Sequence, residues 1–140
     1  MRLTKTFRGV FAAVMFFSLI ISLASAQDGW HRINVSPIPS ARGTHAMIYH
    51  GANSRLVLFG GFGETGTLQD TWEFLGDQWQ QVNPTVKPPA RSLHTFTYYP
   101  PEKSGILIGG NSSSFAPLGD AWKYANGKWT QIPIPVPTPM

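Results

Sequence analysis

Histidines, two recurring arginines and a scatter of carboxylates are the groups in this sequence with acid–base or ligand chemistry, and their spacing decides how much of it is available. His45 and His94 invite a metal reading, but His31 and His50 add no zinc spacing. A ligand set gathers different residues at one point rather than repeating one residue at two equivalent places. The chain has no Cys, so thiol nucleophiles, thiolate metal sites and disulfides are all excluded. Glu64, Glu73 and Glu102 stand singly, and Gly-x-Ser-x-Gly, P-loop and His-Glu-x-x-His patterns are missing. No helix pattern follows the glycine pairs Gly60-Gly61 and Gly109-Gly110, so they offer no helix N-terminus to an anion. The sequence therefore assigns no catalytic residue, no metal and no cofactor.

These residues recur in register. Ala41, Arg42, His45, Tyr49, Leu58 and the pair Gly60-Gly61 reappear 49 positions later as Ala90, Arg91, His94, Tyr98, Leu107 and Gly109-Gly110. One extra residue then enters, and Asp70, Trp72, Trp79 and Gln81 reappear 50 positions later as Asp120, Trp122, Trp129 and Gln131. The insertion falls between the glycine pair and the aspartate, which predicts a loop over 62–69 in one unit and 111–119 in the other.

Each unit reads as four strands. His45, Met47 and Tyr49, and likewise His94, Phe96 and Tyr98, alternate with their neighbours at period two. Leu56-Val57-Leu58-Phe59 and Ile106-Leu107-Ile108 are short continuous apolar runs, as expected of strands covered on both faces. Trp72 and Phe74, matched by Trp122 and Tyr124, mark a third, half-exposed strand. Gly76-Asp77 and Asn126-Gly127 suit two-residue primed turns into a fourth strand that opens at Trp79 or Trp129.

A four-stranded unit recurring near every fifty residues resembles the kelch repeat, which builds the blades of a β-propeller. The residues carrying the likeness, from about Trp30 to the end, are Arg42, Gly60, Gly61, Trp72 or Phe74, and Trp79, with counterparts Arg91, Gly109, Gly110, Trp122 or Tyr124, and Trp129; the second aromatic on the third strand departs from the pattern. The expected fold is all-β: two four-stranded antiparallel blades, repeat 1 over 41–82 and repeat 2 over 90–132, in an incomplete propeller. Residues 30–33 align with the fourth strand and predict an unpaired opening strand, and 133–140 read as the Pro-rich end of the next linker. The likeness also implies structural roles. His45 and His94 are expected as buried, hydrogen-bonded core histidines, Arg42 and Arg91 as donors to backbone carbonyls or to a carboxylate, and the Trp residues as packing elements.

Two blades cannot close a propeller, which needs about four to eight. The sequence admits two accounts. In the preferred one the chain is the N-terminal piece of a longer propeller; in the other, several copies associate to complete one ring.

Residues 1–26 read as a secretory signal peptide: Arg2, Lys5 and Arg8 precede an apolar run over 10–23, and Ala24-Ser25-Ala26 forms a small-x-small cleavage site. An uncleaved anchor is the competing reading, since 9–27 carries no charge. Cleavage would leave residues 27–140 outside the cytoplasm with no stable membrane anchor. The formal net charge of +4 is nearly all in this leader, so the rest offers no electrostatic case for nucleic acid.

Within a repeating frame, the connection after the glycine pair is what differs between units. Phe62, Glu64 and Thr65 in one, and Asn111, Ser112, Ser113, Ser114 and Phe115 in the other, are the candidate ligand-binding residues. The expected function is non-catalytic recognition of a protein or carbohydrate. The rival is a fragment of a secreted kelch enzyme acting on sugars, of the galactose oxidase or sialic acid mutarotase type. The copper centre of the first, with its Tyr-Cys crosslink, cannot be completed within a chain that lacks Cys.

Overall fold

The computed structural model describes Gly29 and residues 32–133. The readings made for residues 1–26, for Trp30 and His31, and for 134–140 lie outside the described residues. Among the described residues the chain is all-β and forms two antiparallel sheets, neither of which closes on itself. The first holds β1 (Arg42–Gly43), β2 (Ala46–His50), β3 (Arg55–Gly63), β4 (Gly66–Leu75) and β5 (Gln78–Val82). The second holds β6 (Thr95–Tyr99), β7 (Ser104–Ile108), β8 (Ala121–Ala125) and β9 (Lys128–Ile132). In each, the four main strands pair in chain order, and β1 adds a short pairing to the far end of β3.

Turn chemistry sets this register. Gly76 and Asp77 have φ of 57° and 63°, Asn126 and Gly127 of 50° and 76°, and all four lie in the left-handed region that a primed two-residue hairpin requires. The turns place Leu75 opposite Gln78 and Ala125 opposite Lys128. The first two main strands of each sheet are joined by 3-10 turns, at Gly51–Asn53 and Pro100–Glu102, each ended by a left-handed residue, Ser54 or Lys103.

The predicted loop over 62–69 is corrected by the structure. β3 runs through Gly60-Gly61 to Gly63, turns at Glu64-Thr65 and returns as β4 from Gly66. The register shifts between Phe59 and Gly61, so the glycine pair makes a bulge inside a strand rather than ending one. In the second sheet β7 stops at Ile108, and 111–119 is an irregular loop pinned by bridges from Asn111 to Ser92 and Pro117. Of the expected opening strand, the described Arg32 and Ile33 lie in no strand.

Cross-strand partners share a face, so the registers sort each sheet into two. The face bearing Trp79 or Trp129 is termed the front and the other the back. Phe96, Leu107, Trp122, Tyr124 and Trp129 line the second sheet's front and form one core with Ile48, Val57 and Phe59 from the first sheet's back. The Trp129 ring is the hub, with ring centroids 5.0 Å from Phe59, 5.5 Å from Phe96 and 4.8 Å from Tyr124. Removing such side chains from water is worth roughly 1.5–3 kcal/mol each.

Two polar bonds cross this seam. Trp129 Nε1 donates to Thr71 Oγ1 at 3.0 Å, and the Tyr124 hydroxyl donates to Glu73 Oε1 at 2.8 Å. The other Glu73 oxygen accepts from Arg55 Nη1, so the buried carboxylate is paired as well as hydrogen-bonded. Burial and then this bond push the Tyr124 phenol above its ordinary range.

Candidate functional site

The recurring arginine, aspartate and tryptophan build the same clamp twice. Arg42 Nη1 and Nη2 donate to the two carboxylate oxygens of Asp70 at 2.5 and 2.7 Å, and Arg91 does the same to Asp120 at 2.7 and 2.8 Å. Each Nη1 also donates to the carbonyl of a repeat glycine, Gly60 at 3.1 Å or Gly109 at 2.9 Å. Trp72 and Trp122 complete the clamps, each donating Nε1 to its aspartate at 2.6 Å. Both guanidinium side chains are buried, a placement that favours bidentate arginine over lysine.

The clamps hold their aspartates ionised. At Asp120 the Arg91 hydrogen bonds lower the carboxyl below the usual carboxylate range against the effect of burial. At Asp70 burial is the larger single influence and acts upward, but the bonds from Arg42 and Trp72 together with the Arg42 charge outweigh it. With every carboxylate oxygen taken, these residues are fasteners.

The glycines make room for close backbone approach, between the units at Gly60 and within repeat 2 at Gly110. A Cβ on Gly60 would stand 2.7 Å from the Arg91 carbonyl, and one on Gly110 would stand 2.7 Å from the Ser92 carbonyl. Gly61 N donates to the Arg91 carbonyl at 2.9 Å, and Arg91 N to the Leu68 carbonyl at 3.2 Å, stitching repeat 1 to the start of repeat 2.

The expectation of buried, hydrogen-bonded histidines is corrected at His45, and at His94 the burial is as expected while the hydrogen bonds are not. His45 is exposed. His94 is buried but meets no hydrogen-bond partner at either ring nitrogen. It packs edge-on against Phe59, 5.7 Å between centroids. Burial first, and then the Arg91 charge, lower its pKa from 6.5 to about 4, so the ring is neutral at physiological pH. His45 differs because, among the described residues, no third sheet lies on the first sheet's front. Sequence reasoning missed His50, a second buried histidine without a hydrogen-bond partner, packed 5.1 Å from the Tyr98 ring.

Of the candidate ligand-binding residues, the structure brings two together. Phe62, at the end of β3, and Phe115, in the 111–119 loop, stack with centroids 6.4 Å apart and planes 29° from parallel. Phe115 is 69% exposed, and its backbone is left-handed at φ 61°. With Gly43, Thr44, Ser92 and Leu93 the rings line a groove of about 510 Å³. Leu93 is 64% exposed and held at φ 57°, a conformation that bulky residues rarely adopt without a compensating constraint. The constraint is visible: Leu93 N donates to the Thr44 carbonyl at 3.0 Å. Sequence reasoning missed Leu93; the signal was an apolar residue standing where the other unit has polar Thr44.

The remaining candidates stay apart from the groove. Glu64 and Thr65 form the exposed tip of the β3–β4 hairpin and do not line it. Ser112 and Ser114 bond to each other at 3.0 Å, and Ser112 Oγ also accepts from Ala116 N at 3.2 Å, so they brace their own loop. Asn111 bridges by backbone to Ser92, and Ser113 is exposed. Among the described residues no three His, Asp or Glu side chains gather as a metal site would require, and no helix is long and apolar enough to cross a membrane. No protein-family model matches this sequence, and no curated protein matches it either.

Proposed function

We propose that the chain is an exported kelch-type recognition module that binds a protein or a carbohydrate, without catalysis, in the groove of Phe62, Phe115 and Leu93. The observation that carries the reading is the stacked, solvent-facing Phe62–Phe115 pair at the junction of the two repeats. Exposed aromatic pairs of this kind fit the apolar face of a sugar ring or an apolar side chain of a protein ligand, with Thr44 and Ser92 supplying hydroxyls at the rim. The internal bracing of the 111–119 loop favours the same role, because a groove wall fixed in advance loses little entropy on binding. Export through residues 1–26 and the kelch assignment rest on the sequence patterns alone.

A glycan array and a capture experiment on extracellular proteins test the proposal. Saturable binding without turnover is expected, and Phe62→Ala or Phe115→Ala should weaken it by about tenfold or more, the loss of one anchor residue, with the circular dichroism unchanged. Binding unaffected by either variant, or turnover of a captured sugar, overturns it.

A further inference from the structure

We infer that the front of the first sheet is the docking surface for the back of the second sheet of another copy of this chain. Within one chain a front already packs on a back. Repeat positions show that the first sheet's front carries the same kinds of residue, and among the described residues Leu58 and Trp72 are covered while Met47 and Tyr49 are left exposed. Met47 is 47% exposed where its counterpart Phe96 is 8% exposed. Leu56, Phe74 and Trp79, the counterparts of Gly105, Tyr124 and Trp129, line a shallow apolar groove of about 190 Å³ with Ile33, Val35 and Ile38. On the opposite side of the molecule the second sheet's back carries Ile106, Ile108 and Ile132, in the places of Val57, Phe59 and Val82. Ile108 is 49% exposed, whereas Phe59 is fully buried.

The polar residues on these two open faces say which surface fits which. Inside the chain Tyr124 on the front meets Glu73 on the back, hydroxyl to carboxylate. At the corresponding open positions the front has Phe74 and the back has Lys123. A Tyr facing Lys would lose its acceptor, and a Phe facing Glu would leave one buried carboxylate oxygen without a donor. Phe facing Lys avoids both and sets a cation over an aromatic ring. Two changes at two distant positions are thus matched only if one copy's front meets another copy's back. Lys123 now reaches the exposed Glu102 at 3.2 Å, a surface pair that is cheap to give up. Ala121 stands where Thr71 does, so the Trp129–Thr71 bond has no counterpart and the contact between copies is weaker than the seam within one.

Such an interface is heterologous, and it propagates until a ring closes. The described residues of each copy contribute two sheets, so rings of about four to eight such sheets correspond to two, three or four copies. The inference stands on the front-to-back seam and not on the ligand groove, which involves other residues, so either can fail alone.

Sedimentation and light scattering of the full chain, recovered after export so that any processing of residues 1–26 has taken place, test it. A discrete dimer, trimer or tetramer is expected. Lys123→Glu should weaken association by about tenfold or more, the cost of burying an unpaired charge, and adding Phe74→Tyr should recover part of that loss by giving the introduced carboxylate a hydroxyl donor. Leu56→Arg and Ile108→Arg should each give monomers that form a one-to-one complex when mixed, and that recovery itself shows that both fold. A monomer at all concentrations, an assembly indifferent to Lys123→Glu and Ile108→Arg, or failure of Phe74→Tyr to rescue overturns the inference.

Discussion

The two sheets are built on one frame and differ in what lies against their fronts. Phe96 is buried and Tyr98 partly buried because the first sheet covers them, whereas Met47 and Tyr49 are exposed at the equivalent positions because no described residue takes that place. The same contrast separates buried His94 from exposed His45. Repetition of sequence sets the hydrogen-bonding frame here, while position in the stack sets burial and the share each residue has in stability.

The largest test of that contrast is the pair Trp129→Ala and Trp79→Ala. Loss of the buried hub should cost about 3–5 kcal/mol in urea unfolding, and loss of the open-face residue less than half as much when measured at concentrations that keep copies apart. Equal costs would break the comparison.

Titration sharpens it next. His94 has a folded-state pKa of about 4 against an ordinary 6.5, so the unfolded chain binds the extra proton first and stability falls as pH drops from 6.5 towards 4. The loss should reach on the order of 2–3 kcal/mol near pH 4. His94→Gln should flatten the pH profile over that range, as read from unfolding midpoints against pH. Below it, the lowered carboxyls of Asp70 and Asp120 add a further loss as pH falls through their folded-state values.

The smallest effect is at the seam's neutral hydrogen bond. Thr71→Val removes the acceptor of Trp129 Nε1 at nearly constant volume and should destabilise by about 1–2 kcal/mol, the cost of one unsatisfied buried donor. Ala121 shows that the position itself tolerates an apolar residue, so a larger loss would point to distortion of β4.

Strand order was legible because turn chemistry and period are local. Gly76-Asp77 and Asn126-Gly127 can adopt positive φ at both positions, and the alternation around Trp72 and Trp122 admits one register. The glycine pairs were ambiguous for a physical reason. The same two residues permit a bulge that carries β3 on to Gly63 or a bend that ends β7 at Ile108, and the choice depends on whether the following segment can pair back. The exposure of His45 and the burial of His50 were illegible, since both depend on which faces are covered. The Phe62–Phe115 contact was half legible: both rings were singled out as residues of divergent segments, but their stacking, and the addition of Leu93, follow from the way Thr44 and Leu93 join two repeats.

The central claim is that the second sheet's front lies directly on the first sheet's back. Nuclear Overhauser contacts and exchange of the tryptophan indole protons test it most directly. The account predicts cross-peaks from the Trp129 indole to Thr71 and to the Phe59 ring, with that indole proton slow to exchange and the Trp79 indole proton fast. Equal exchange at the two indoles, with no cross-peak between residues of 42–82 and residues of 91–132, would contradict it.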